Sequence, residues 1–133
     1  MAYGKIKVDT LVHDISGNDI DLSISTIRHA GISPVTDGAT ITIDLNELNN
    51  NFSVTLGGNR TIANPTNITV GQSGTIFIAQ DSTGSRTVTW GSYWKWAGGN
   101  APTLSTGANK VDQIDYVIYS TTAVHAIPSL DFS

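Results

Sequence analysis

The chain has 133 residues, 39% of them hydrophobic and 14% charged, and it carries a formal net charge of −4. This length provides one domain with a genuine core but not two well-packed ones, and the low charge excludes a disordered acidic chain. The seven Lys and Arg residues are scattered rather than clustered, so neither a basic phosphate-binding stripe nor a nucleic-acid partner is expected.

Residues 1–38 are predicted to form an N-terminal β arm and a linker. Apolar and polar side chains alternate along residues 5–12 and again along residues 19–26, and a period of two is typical of half-buried strands. The turn sequence at residues 16–19 lies between the two runs, which predicts a β-hairpin or a pair of short extended arms. Glycines and a proline then interrupt residues 27–38, which are interpreted as a connection.

Residues 39–133 are predicted to form a separate β module. The chain contains roughly nine or ten short runs with strand periodicity, frequent turn signals and almost no helical periodicity. The fold class expected is all-β, an antiparallel β-sandwich or jelly roll with a short N-terminal β arm. Ile41, Ile43 and Leu45 are expected to face inward, and Phe52, Val54 and Leu56 give the next strand. Ile76 and Ile78 are expected on one face of a central strand. In the longest predicted strand, residues 111–120, which turns into the last strand, Ile114, Tyr116 and Ile118 are expected on the face opposite Val117 and Tyr119.

A hairpin is predicted at residues 81–85, with the strand at residues 86–90 returning beside residues 75–80. The carboxylate of Asp81 is expected to cap backbone N–H groups of this loop. Arg86 lies across the predicted hairpin, so Asp81 and Arg86 are also expected to form an ion pair.

The sequence gives little support for catalysis, and no cofactor, metal site or catalytic residue is predicted. The chain has no cysteine, which excludes disulfides, thiolate chemistry and a Cys-ligated zinc. The histidines, His13, His29 and His125, do not have the spacing of metal ligands, and structural roles account for the acidic residues. We therefore expect a protein that is not an enzyme.

The N-terminal residues lack the apolar segment of a secretory signal, and no apolar stretch approaches the length of a membrane span. Synthesis in a cytoplasm and no membrane insertion are therefore expected. Any later extracellular role would require another route of release, such as lysis.

All three tryptophans lie between positions 90 and 96. Exposed aromatic rings stack on the C–H faces of sugars, so this cluster is a candidate glycan-binding surface. Burial of one such ring contributes roughly 2–3 kcal/mol by area, which a small domain with few Leu and Phe residues needs. Packing in the core or against another subunit is the favoured interpretation. The residues that remain candidates for glycan or subunit contact are Tyr93, Trp94 and Trp96.

Residues 57–112 resemble a module found in virion proteins of tailed bacteriophages, including tail fibres, tail spikes and small accessory head or tail proteins. The opening at residues 5–19, KIKVDTLVHDISGND, is similar to the start of many marine-phage structural proteins. The resemblance brings no catalytic residues. The motifs that carry it are Asn64-Pro65-Thr66-Asn67, Gly71-Gln72-Ser73-Gly74, Gln80-Asp81, Gly84-Ser85-Arg86-Thr87, Trp90-Gly91 and residues 101–106, APTLST.

The resemblance implies a non-enzymatic virion structural protein that is made in the bacterial cytoplasm and is commonly a homotrimer. The favoured hypothesis is a capsid decoration or cement protein on the head surface, attached to the major capsid protein or another virion protein. The N-terminal arm would provide the attachment, through Ile6, Val8, Thr10, Val12, Ile20, Leu22 and Ile24.

The alternative is a short tail-fibre or adaptor component that binds a host-surface polysaccharide. A fibre requires a long shaft between its virion anchor and its receptor-binding tip. Only about 38 residues precede the predicted module, without a shaft repeat, and this favours the head over the tail.

Overall fold

The computed structural model describes residues 14–15, 18–19, 29–46 and 49–132. Within them, helical structure is limited to a short 3₁₀ turn, Ala97–Gly99. The protein is therefore strand-rich, as the sequence predicted. The strands are β1 (Asp14–Ile15), β2 (Asn18–Asp19), β3 (His29–Pro34), β4 (Thr40–Ile41), β5 (Asn49–Leu56), β6 (Arg60–Ile62), β7 (Ser73–Gln80), β8 (Val88–Trp90), β9 (Trp94–Trp96), β10 (Val111–Ser120) and β11 (Ala123–Phe132).

The central part of the chain alternates between two sheets. Strands β3, β5 and β7 lie side by side in a six-stranded sheet, and β4, β6 and β8 form a three-stranded sheet. Each strand is parallel to the one stacked on it, with Phe52 beside Ile76 in the large sheet and Ile41 beside Ile62 in the small one. Residues 29–90 therefore form three stacked coils of a short β-solenoid.

The parallel pairing corrects the prediction of an antiparallel sandwich or jelly roll. The pairs β3–β5, β5–β7, β4–β6, β6–β8 and β9–β11 are all parallel. Turn residues such as those at 57–59 carry the chain from one sheet into the other instead of folding it back on its neighbour. The predicted return of residues 86–90 beside β7 is also wrong, because β8 pairs with β6 in the small sheet.

A hairpin of β10 and β11 extends the six-stranded sheet beyond the coils. The sheet order is β3-β5-β7-β10-β11-β9. Strand β10 is antiparallel to both β7 and β11, whereas β9 adds to β11 in parallel. As predicted, residues 111–120 form one long strand that turns into the last strand of the chain.

The core lies between the two sheets and is mostly aliphatic, with buried aromatic rings at Phe52, Tyr116 and Trp94. Ile41, Ile43 and Leu45 are buried, as predicted, and the side chains that the alternation groups on one face of β7 and of β10 are buried as well. Alternate residues on the two sheets thus meet across one interior, which is the condition for a stable two-layer β protein.

Close contact between β5 and β7 depends on a glycine. A Cβ atom at Gly74 would overlap the backbone carbonyl oxygen of Asn50 and lie 2.9 Å from the hydroxyl of Tyr116. That hydroxyl donates a hydrogen bond of 2.8 Å to the same Asn50 oxygen. The absent side chain at Gly74 therefore lets three strands, β5, β7 and β10, share one polar contact inside the sheet.

The N-terminal predictions fall partly within the described residues. Strands β1 and β2 pair antiparallel, Asp14 with Asp19 and Ile15 with Asn18, at the predicted turn. The two predicted runs lie almost entirely outside the described residues, so the hairpin and the alternative of extended arms stay predictions. Strand β3 lies within the segment interpreted as a linker, and it pairs with β5. The division of the chain into an arm at residues 1–38 and a module at residues 39–133 stays a prediction. The seven proposed attachment residues, from Ile6 to Ile24, and His13 lie outside the described residues.

Candidate functional site

The three tryptophans pack against one another. The ring centroid of Trp90 lies 5.2 Å from that of Trp94 and 4.7 Å from that of Trp96, and both contacts are edge-to-face. Trp94 is 5% exposed, and its indole N–H donates a 3.0 Å hydrogen bond to the carbonyl oxygen of Ala63. Trp94 is therefore a core residue. Tyr93 and Trp96 are half-buried against that core, and a glycan or subunit contact through them stays a prediction.

The six-stranded sheet presents its outer face, the side opposite the core, through alternate residues of β10 and β11. Val117, Tyr119 and Ile127 on this face are 43%, 67% and 64% exposed. As the alternation predicted, Val117 and Tyr119 face the side of the sheet opposite Tyr116 and Ile118. Large apolar side chains clustered in solvent mark a surface for contact with another molecule.

A groove of about 460 Å³ lies on this face, where β9, β11 and β10 are neighbours. The sheet register brings its residues together, because His125 is the cross-strand partner of both Lys95 and Val117, and Ile127 is the partner of Asp115. We call this the outer groove, and the lining residues on the outer face of the sheet are Lys95, Asp115, Val117, His125 and Ile127.

Two charged side chains in the outer groove are held by hydrogen bonds. Asp115 Oδ1 accepts a 2.7 Å bond from the Thr75 hydroxyl, and Gln113 Nε2 donates to both carboxylate oxygens at 2.9 and 3.1 Å. Lys95 Nζ donates to the carbonyl oxygen of Ser92 at 2.7 Å. A carboxylate has about four acceptor positions and an ammonium three donors, so both groups retain capacity for a ligand.

An aromatic pair stands at the edge of the groove. The rings of Tyr119 and His125 are stacked, with centroids 4.7 Å apart and planes 10° from parallel. His125 lines the groove and Tyr119 packs on it, so the imidazole has a fixed orientation in an otherwise exposed position. A preordered planar ring beside apolar side chains and two charged groups suits an amphiphilic ligand with one apolar face.

Carboxylates outside the groove stabilise turns. Arg60 hydrogen bonds to Asp37 and lowers the pKa of that carboxyl group, while Asn67 does the same for Asp44. The predicted pair of Asp81 and Arg86 is confirmed at 2.7 Å, and it lowers the pKa of Asp81. Among the described residues, no group of three or more His, Cys, Asp or Glu side chains is arranged to hold a metal ion.

A family model described as "Putative phage tail fibre C-terminal domain" matches residues 34–123. The chain belongs to this family. The match runs from the end of β3 to the start of β11, so it includes the solenoid coils and β10. It confirms the resemblance to tailed-phage virion proteins, and the protein is a structural component of the virion. Searches of curated proteins and of solved structures gave no match.

Most of the groove in this tail fibre domain has no signal in the sequence. His125 lies in a predicted strand without a partner at ligand spacing, and Lys95 is one of seven scattered cations. Alternation predicts only that Val117 and Tyr119 share a face opposite Tyr116 and Ile118. The missing information was the parallel pairing of β9 with β11, which sets Lys95 beside His125.

No helix among the described residues of the tail fibre domain is both long and apolar enough to cross a membrane.

Proposed function

We propose that this chain is part of a tail fibre and that its outer groove binds a host-surface glycan. The family match supports the tail over the capsid decoration that the sequence analysis favoured. The observation that carries the glycan proposal is the exposed His125 ring, stacked on Tyr119, beside the apolar side chains of Val117 and Ile127. Aromatic and apolar surfaces complement the C–H face of a pyranose, while Asp115 accepts hydrogen bonds from its hydroxyl groups.

The proposed activity is binding without catalysis. Asp115 already accepts hydrogen bonds from Thr75 and Gln113, an arrangement that holds an acceptor in place for a ligand hydroxyl. We also propose a homotrimer, in which exposed apolar residues away from the groove, such as Leu130 and Phe132, are covered by neighbouring copies.

Labelling of intact particles tests the location. Gold-conjugated antibodies against this chain are expected to mark the ends of the tail fibres in electron micrographs. Label distributed over the heads would contradict the tail proposal and support capsid decoration.

A polysaccharide array with a matched pair of variants tests the groove. Val117→Asp places a charge in the groove, whereas Val70→Asp makes the same change at an apolar residue that is 58% exposed outside it. Val117→Asp is expected to lose binding to bacterial surface polysaccharides, and Val70→Asp to retain it. His125→Ala gives a second test, because it removes the imidazole ring and changes no apolar side chain of the strand. Equal binding by all variants, or no binding by the native protein, would contradict the proposal.

A further inference from the structure

The charges in the outer groove are separated, and their positions restrict the ligand. Lys95 on β9, His125 on β11 and Val117 on β10 lie side by side across the three strands. Asp115 lies two residues before Val117 on β10. Strands about 4.8 Å apart with a rise of about 3.3 Å per residue put the Cα atoms of Lys95 and Asp115 about 12 Å apart. The groove therefore has a basic end and an acidic end, and the distance between them exceeds the width of one sugar ring.

Lys95 provides the basic end with unused donors. Its side chain is exposed, and Nζ makes one hydrogen bond, to the carbonyl oxygen of Ser92. An ammonium group has three donors, so a ligand carboxylate can accept from the remaining positions. The neighbouring imidazole of His125 adds a second potential donor at the same end.

Asp115 provides the acidic end with a fixed acceptor. Hydrogen bonds from the Thr75 hydroxyl and the Gln113 amide hold both carboxylate oxygens, so the group does not need to be ordered on binding. A ligand carboxylate would be repelled here, whereas ligand hydroxyls would donate to it. Between the two ends, Val117 and Ile127 form an apolar floor.

We infer that the outer groove takes an acidic saccharide of at least two sugar rings, with one carboxylate against Lys95 and hydroxyl groups of the next ring on Asp115. This inference rests on the proposed glycan-binding function. A densely charged phosphate polymer does not fit, because the groove offers one lysine and one carboxylate in a chain of net charge −4. A polysaccharide in which an acidic sugar alternates with one or more neutral sugars does fit.

Calorimetric titration with two probes of equal length tests the inference. The probes are a tetrasaccharide of alternating glucuronate and N-acetylglucosamine and its carboxyl-reduced, neutral counterpart. The native protein is expected to bind the acidic probe more tightly than the neutral one. Lys95→Gln is expected to weaken acidic-probe binding about fivefold, as for an exposed ion pair, and to leave neutral-probe binding unchanged.

Lys110→Gln is the matched control, because it removes the same charge from a residue that pairs with Asp131 outside the groove. It is expected to retain the preference for the acidic probe. Equal affinity for the two probes, no binding of the acidic probe, or equal losses in the two lysine variants would overturn the inference. The polysaccharide array separates these results from failure of the proposed function, since a groove-dependent neutral glycan on the array would leave that function intact.

Discussion

The Asp81 carboxylate binds the Arg86 side chain and the backbone of the loop between them at the same time. Oδ2 lies 2.7 Å from Nη2 of Arg86, while Oδ1 accepts hydrogen bonds from the N–H groups of Thr83 and Gly84 at 3.0 and 2.8 Å. The adjacent Gln80 side chain is buried, and its amide donates to the carbonyl oxygen of Arg86 and accepts from the N–H group of Arg86. This loop is the point where the chain leaves the large sheet for β8, so its geometry sets the last solenoid coil.

Replacement of Asp81 separates the two roles of the carboxylate. Asp81→Ala removes the backbone acceptor and the ion pair, and we expect it to lower the thermal unfolding temperature by a few degrees. Asp81→Asn keeps an acceptor for the loop N–H groups, so its unfolding temperature should lie between those of the native protein and the alanine variant. Scanning calorimetry measures all three. Equal stability of the alanine variant and the native protein would show that the loop does not depend on this carboxylate.

The buried Asp112 has a comparable role nearby, at the start of β10 beside the end of β7. It is 1% exposed, and its two oxygens accept hydrogen bonds from the backbone N–H groups of Ser105, at 2.7 Å, and Asp131, at 2.9 Å. Asp131 has a φ of 65°, a left-handed conformation that is uncommon for a residue other than glycine. The bond from Asp112 helps to hold this conformation at the end of β11.

Asp112→Ala leaves both N–H groups without their acceptor, and we expect the free energy of unfolding to fall by about 2–5 kcal/mol. Asp112→Asn retains one oxygen but turns an amide N–H₂ towards the second donor, so a smaller loss is expected. Urea denaturation measures both changes. The control is Asp115→Asn on the exposed face of the same strand, and a loss there equal to that in Asp112→Ala would argue against a special role for the buried group.

The direction of each side chain was predictable because alternation along a strand is a local property. Ile76 and Ile78 face the core and Tyr119 faces solvent, as the period of two requires. The Asp81–Arg86 contact was predictable for the same reason, since only residues 82–85 separate the two side chains along the chain.

The pairing of strands was not predictable from the same pattern. A turn sequence such as residues 57–59 is compatible with a hairpin or with a bend into a second sheet, and only long-range packing decides between them. The parallel contact of Phe52 with Ile76 follows from stacked coils, not from any short-range signal. The outer groove depends on that topology, because Lys95, His125 and Asp115 come from three strands.

The stability of the protein should fall in acid because of Asp37. Hydrogen bonds from Arg60, at 2.8 and 2.6 Å, lower the pKa of this carboxyl group in the folded protein. An aspartate in the unfolded chain has a pKa of about 3.9. The stabilisation is therefore fully present above that pH and is lost as the pH falls towards the lower folded value.

Urea denaturation from about pH 2 to about pH 7, a range that spans the titration of aspartates, tests this dependence. Asp37→Asn should be less stable than the native protein near neutral pH, and the two should converge in acid, where the native carboxyl group is also neutral. The variant should retain part of the pH dependence, since the pKa values of Asp44 and Asp81 are lowered as well. Parallel stability curves for the two proteins would show that the Arg60 contact does not stabilise the fold.

Trp94 distinguishes packing from ligand binding in the aromatic cluster. Its side chain is buried, and its hydrogen bond to Ala63 connects β9 of the large sheet to the residue that follows β6 of the small one. Trp94→Ala should lower the free energy of unfolding by about 3–5 kcal/mol, whereas Trp94→Phe keeps an aromatic ring and should cost about 1–2 kcal/mol for the lost hydrogen bond. Urea denaturation measures these losses.

The same variants carry a second test, because Trp94 points into the core and the outer groove lies on the other side of the sheet. Trp94→Phe should therefore leave polysaccharide binding unchanged at temperatures where it is folded. Trp96→Phe is the matched change at the half-buried ring stacked on Trp94, and it should also leave binding unchanged. Folded Trp94→Phe or Trp96→Phe protein that no longer binds polysaccharide would restore the tryptophan cluster as the ligand site and remove the reason for assigning that role to His125 and Tyr119.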